Sequence, residues 1–201
     1  MLGEEMNSKL LVSKNKILIS IIVLILVIVG SLAFYTSYKT NNNPSKIIQS
    51  ITNAKEYTAD IEYTIKNSRG EFIEEAKIEH KNSESKLTFV EKEQFFSKDK
   101  IKINYFEGDK HFIVDRDYDE FYRFFLINEL ANYINEEGVK FTQKEDKMII
   151  DFKTGSSNRN FTNAKFIVDL KKKEPISITI FDDKDLERVL VNYNNFSITK
   201  E

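Results

Sequence analysis

Side chains that ordinarily carry catalysis are scarce in this 201-residue chain, which has two histidines, His80 and His111, and no cysteine. Each histidine falls in an alternating, strand-like pattern and reads as a structural or surface imidazole. No serine lies in Gly-x-Ser-x-Gly, or in Ser-x-x-Lys followed by the full set of companion motifs that a hydrolase needs. Carboxylates are plentiful, but closeness in sequence does not place two of them across a cleft for acid–base work. Asp115-Arg116-Asp117-Tyr118-Asp119 imitates the start of a calcium loop. It then fails, because Glu120 stands where the sharp turn needs glycine and Leu126 where a bidentate glutamate should close the site. No catalytic residue, metal site or cofactor is expected, and the chemistry left is that of binding.

Three polar loops compete for that role. Asp182-Asp183-Lys184-Asp185 reads as a hairpin turn, and Lys171-Lys172-Lys173 before Pro175 as a solvated basic turn. The loop Thr154 to Phe161 is richer in chemistry, since it sets Asn158, Arg159 and Asn160 among small residues. These three are the candidate partner-binding residues, Arg being the type best suited to anchor an interface. Aromatic residues are dense, with 16 Phe and 9 Tyr. Phe121, Tyr122, Phe124 and Phe125 cluster in one short stretch.

The elements that must position these groups begin with a leader. Ile17 to Phe34 holds no charge over 18 residues. As a helix it would run roughly 27 Å, near the ~30 Å hydrocarbon thickness of a bilayer. Ile17, Ile21, Leu24, Val27 and Phe34 would face lipid, and Tyr35 and Tyr38 would lie at the interface. Lys9, Lys14 and Lys16 before the span outweigh Lys39 after it, which keeps the N-terminus inside and exports the rest. The expectation is a cytoplasmic segment at 1–16, a single-pass membrane anchor at 17–38, a linker at 39–45 and one extracytoplasmic domain at 44–201. Ser31-Leu32-Ala33 also suits a signal peptidase, so the alternative is a secreted domain cut after Ala33. A formal net charge of −2 with both signs interspersed argues against nucleic acid as a partner.

Within 44–201 the patterning is mostly period two. Asn43 and Pro44 open a helix to Asn53, with Ile47, Ile48 and Ile51 on one face. Tyr57, Ala59, Ile61, Tyr63 and Ile65 alternate with polar residues and predict a strand. Asn67 to Gly70 turns it back through Phe72, Ala76, Ile78 and His80. Further strands are expected at Lys86 to Glu91, Lys100 to Phe106, His111 to Asp115 and Glu120 to Phe124. After a second helix carrying Leu126, Ile127, Leu130, Tyr133 and Ile134 and stopped by Gly138, strands follow at 139–145, 148–153, 164–169, 176–182 and 186–196. Loops this short force antiparallel pairing. The predicted fold is α+β: about eleven antiparallel strands in one strongly curved sheet, packed on two helices. Its exposed edge strands also suit a homodimer.

Three stretches, YTADIEYTIKNSRGEF (57–72), FFLINELANYINEEG (124–138) and TGSSNRNFTNAKFIVDLKKKEPISITIFDDKDLERVLVNYNNF (154–196), together resemble the germination lipoprotein GerS family, whose fold is similar to the LolA and LolB carriers. The resemblance implies a LolA-like half-barrel and a non-enzymatic adaptor that binds a zinc-dependent cell-wall amidase, enabling spore cortex modification during sporulation and germination. It transfers no catalytic residue. The chain has no cysteine for the family's lipid modification, and the expected uncleaved transmembrane segment would take its place as the tether. The alternative from the fold is a carrier or sensor of an apolar ligand such as a lipid or lipoprotein acyl chain.

Overall fold

The computed structural model describes residues 24–32, 35, 43–118 and 120–199. Residues 24–32 are helical (α1), with Leu24 and Val27 exposed. Ile17, Ile21 and Phe34 of the expected anchor, and the cleavage point at Ala33, lie outside the described residues. Among the described residues no helix is long and apolar enough to cross a membrane. From Pro44 the chain forms a separate compact unit.

That unit is an open antiparallel sheet whose eleven strands, among the described residues, follow the order β6-β5-β4-β3-β2-β1-β11-β10-β9-β8-β7. The first run is β1 (Glu56–Asn67), β2 (Gly70–Lys81), β3 (Glu84–Thr88), β4 (Lys92–Phe96), β5 (Lys100–Tyr105) and β6 (His111–Asp115). The second is β7 (Lys140–Lys144), β8 (Lys147–Lys153), β9 (Asn163–Asp169), β10 (Glu174–Phe181) and β11 (Glu187–Ile198). Each run is a meander of neighbours, and the central pairing of β1 with β11 joins the two. α2 (Pro44–Thr52) precedes β1, and α3 (Glu120–Arg123) and α4 (Ile127–Ile134) link the outer strands β6 and β7.

Alternation decides which face is buried. Tyr57, Ala59, Ile61 and Tyr63 of β1, Ile78 of β2, Ile180 of β10 and Val191 of β11 all point into one core. Ile47, Ile48 and Ile51 of α2 and Ile127, Leu130 and Ile134 of α4 enter it from the same side. α2 also packs on α4. Pro175, which lacks an N–H for the ladder, coincides with a register shift between β9 and β10, where a proline is tolerated.

Two elements correct the sequence reading. Glu120 to Phe124, expected as a strand, is α3 and a turn: Phe121 meets Phe125 at a ring separation of 5.1 Å, the i, i+4 spacing of a helix. The strand it displaces is β4, whose polar sequence Lys-Glu-Gln-Phe-Phe hides an inward Gln94. The expected pair of helices thus becomes α2, α3 and α4 after Asn43. Gly138 does adopt the positive φ (+88°) that favours glycine, but α4 has already ended at Ile134.

The start of α4 has no side-chain cap of its own. Tyr57 supplies one from across the core: its hydroxyl accepts the Ile127 N–H at 3.0 Å and donates to Asn128 Oδ1 at 2.9 Å. Desolvation raises the Tyr57 phenol above its ordinary range, which keeps it a donor. Tyr57→Phe is expected to lose about 1–3 kcal/mol, since a buried N–H and an amide oxygen lose their partner. Urea unfolding should show a lower midpoint at unchanged slope; an unmoved midpoint would refute the cap.

Candidate partner-binding site

The loop that carries the candidate residues runs from β8 to β9 and is fixed by its own polar groups. Thr154 Oγ1 donates to the Phe161 carbonyl and accepts the Ser156 N–H, while the Asn158 N–H reaches Ser156 Oγ at 3.0 Å. Asn158 Oδ1 then accepts both the backbone and side-chain N–H groups of Asn160, at 3.0 and 3.1 Å. Long-range bonds tie the loop to the β10–β11 turn: the Asp183 N–H donates to the Arg159 carbonyl at 2.9 Å, and the Thr162 N–H to the Phe181 carbonyl at 2.9 Å. Beneath it, Phe161 packs on Phe121 and Phe124.

Asn158 and Asn160 therefore spend much of their bonding capacity on the loop itself. Arg159 does not. Its side chain is 88% exposed, with Nε 3.9 Å from Asp183 Oδ2. A guanidinium held out on a fixed backbone is suited to a carboxylate or carbonyl on a second surface, because little backbone entropy remains to be lost on docking.

Beside the loop lies a cleft of about 600 Å³, lined by Ile65 and Asn67 from the β1–β2 hairpin, Phe121 and Tyr122 from α3, and Asn160 and Phe161. Lys92 reaches over the Tyr122 ring, 4.9 Å from its centroid. Arg188 borders the cleft but is held by Asp182, whose Oδ2 accepts from both Nε and Nη2. Burial works to raise the Asp182 carboxyl. The Leu186 and Lys184 N–H groups and the Arg188 guanidinium outweigh it and hold the group below the ordinary carboxylate range. Asp182 thus closes the β10–β11 hairpin, as its turn sequence suggests. The sequence marked Phe121 and Tyr122 as part of an aromatic cluster, but not their meeting with Ile65 and Phe161, because these residues come from three distant segments.

The other chemistry-bearing residues resolve as structure. His80 is buried, its Nδ1 lies 2.8 Å from Ser85 Oγ across the β2–β3 pair, and Tyr57 stacks on its ring. Desolvation lowers its imidazole below the ordinary range. His111 lies exposed on β6. Asp115 pairs with Lys100 and Asp117 with Arg123, so these two carboxylates of the calcium-like stretch face cations. Among the described residues no cluster of histidine and carboxylate groups is arranged to hold a metal ion.

No curated relative matches the sequence. Among solved structures, an uncharacterized conserved protein from Thermus thermophilus superposes with a TM-score of 0.50 at 7% identity, over 78% of this chain and 88% of that one, and shares the fold. The complex of the CwlD amidase with the GerS lipoprotein from Clostridioides difficile gives a TM-score of 0.48 at 15% identity, over 77% and 93%. The LolA superfamily protein NE2245 from Nitrosomonas europaea gives 0.41 at 6%, over 78% and 94%. A family model described as sporulation protein YdcC-like matches residues 14–201, nearly the whole sequence, and the chain belongs to that family.

Proposed function

We propose that this protein is a non-enzymatic adaptor of sporulation, anchored by residues 17–38 with its 44–201 domain outside the membrane, that docks a cell-wall amidase through the Arg159 loop and the adjoining cleft. The observation that carries this reading is the filled interior. A carrier needs an empty apolar face, whereas here Phe125, Leu126, Ile127 and Leu130 are fully buried against the sheet. Binding is left to the rim, the loops and the edges.

The same contacts support a bent sheet. Arg116, directly after β6, bonds to Glu129 of α4, and Tyr133 of α4 stacks on Phe152 of β8 with ring centroids 5.8 Å apart. A flat sheet would hold β6 and β8 roughly 40 Å apart at about 4.8 Å per strand, while α4 is only about 12 Å long. Curling the sheet around α4 reconciles the two lengths.

The amidase enters through the resemblance of the three stretches to the GerS family, and the sporulation family supplies the setting. The full chain, purified from sporulating cells, should retain an amidase. Arg159→Ala should weaken that association at least about tenfold, roughly 1.4 kcal/mol, with little change in thermal midpoint, because the one ion pair it loses, to Asp183, is long and solvent-exposed. Repeated recovery of no amidase, or binding indifferent to Arg159, would refute the reading.

A further inference from the structure

The two edges of the sheet differ in character. β7 ends in Lys140 and Lys144 with every side chain exposed, the charged guarding that keeps an edge from pairing. β6 reads His111-Phe112-Ile113-Val114-Asp115, with no lysine and no proline. Phe112 is 51% and Ile113 66% exposed. A five-residue edge with three apolar residues at its centre is a template for another strand.

Two hydrogen bonds beyond the strand fix where its free backbone groups point. The Tyr105 N–H donates to the Lys110 carbonyl at 2.9 Å, and the Arg116 N–H to the Asp99 carbonyl at 3.1 Å. Bonded and non-bonded pairs alternate along an antiparallel ladder. In the β5–β6 register, Phe112 and Val114 therefore spend their backbone groups on Ile103 and Ile101. His111, Ile113 and Asp115 direct theirs away from β5, into the open edge.

We propose that this edge is a two-fold docking surface for a second copy of the chain, the two β6 strands pairing antiparallel with Ile113 on the axis. Only registers that oppose odd-numbered residues to odd-numbered residues join the free groups. The one centred on Ile113 engages all three, for about six inter-strand bonds. It sets Ile113 against itself and Phe112 against Val114 of the second copy. His111 then stands opposite the other copy's Asp115, a carboxylate already 2.5 Å from Lys100. The strand is its own complement in its free backbone groups and in setting a hydrogen-bonding imidazole opposite a carboxylate, which is what an isologous interface requires. The guarded β7 edge leaves no second site for chain growth, so assembly closes at a dimer. This inference does not rest on the adaptor reading and uses none of its residues.

The full chain in mild detergent should sediment in a monomer–dimer equilibrium across the micromolar range. Ile113→Lys, an exposed change that leaves circular dichroism unaltered, should weaken the dimer at least tenfold. His111→Asp should weaken it as well, and adding Asp115→His should restore it. Because the chain has no cysteine, Ile113→Cys provides a single thiol. Bonded antiparallel partners have Cα atoms about 5.5 Å apart, within disulfide reach, so mild oxidation should link two chains. Ile73→Cys, on the comparably exposed part of β2, should not link them. A chain that stays monomeric, a dimer indifferent to Ile113→Lys, equal linking by both thiols, or β6 amides protected from exchange only when a different protein binds would each overturn the proposal.

Discussion

Glu129→Ala is expected to destabilise the domain by about 3 kcal/mol, because it leaves two partly buried guanidinium groups without their shared anion. Glu129, Arg116 and Arg123 have side chains only 9%, 17% and 22% exposed. Glu129 Oε1 accepts from Arg116 Nη2, and Oε2 lies 3.4 Å from Arg123 Nη2. Arg116 also donates to the Ser97 carbonyl, so the cluster ties the β4–β5 turn and the exit from β6 to α4. Arg123 spends less of its fork: its buried Nε has no hydrogen-bond partner. For a domain of this size the loss corresponds to a fall of roughly 6–12 °C in thermal midpoint, measurable by calorimetry. A second variant separates charge from packing. Replacing all three residues together by leucine or methionine should recover most of the loss, since an apolar cluster of similar volume avoids the desolvation of three charges. A midpoint within about 2 °C of the parent for Glu129→Ala would show that water already screens the cluster.

The cluster illustrates where sequence reading ends. Arg116 and Glu129 were visible only as an acidic turn and a helix, and their meeting depends on how the chain after β6 folds back over the sheet. Local signals fared well where one periodicity ruled: Tyr57, Ala59, Ile61 and Tyr63 are all buried on the face that their alternation implied, and Ile47, Ile48 and Ile51 on that of α2. They failed where the pattern carried two readings. Phe121, Tyr122, Phe124 and Phe125 form an apolar run that suits a buried strand or a helix equally, and the packing of Phe121 on Phe125 decides for α3. β4 failed for the opposite reason, as Gln94 occupies an inward position without apolar character. The Arg159 loop was legible as a polar loop. Its rigidity was not, since the bonds to Phe181 and Asp183 span the β9–β10 hairpin.

Phe125→Ala bears on function as well as stability. Phe125 is fully buried among Tyr63, Phe121 and Tyr122, with ring centroids 5.0 to 5.3 Å away. Truncating it removes a large apolar side chain and opens a void that close-packed neighbours fill only in part, for an expected loss of about 3–5 kcal/mol in urea unfolding. A void lined by these rings stays dry and admits a small apolar molecule. Benzene should therefore raise the thermal midpoint of Phe125→Ala and leave that of the parent unchanged. The comparison discriminates between the two functional readings. If the parent gained stability from a fatty acid, and kept that gain when Phe161→Ala altered the cleft beside the Arg159 loop, a vacant apolar site would exist between α4 and the sheet and the carrier reading would displace the adaptor. If only the variant responds, the interior is already closed by Phe125, and whatever this sporulation protein recognises must meet it at the rim.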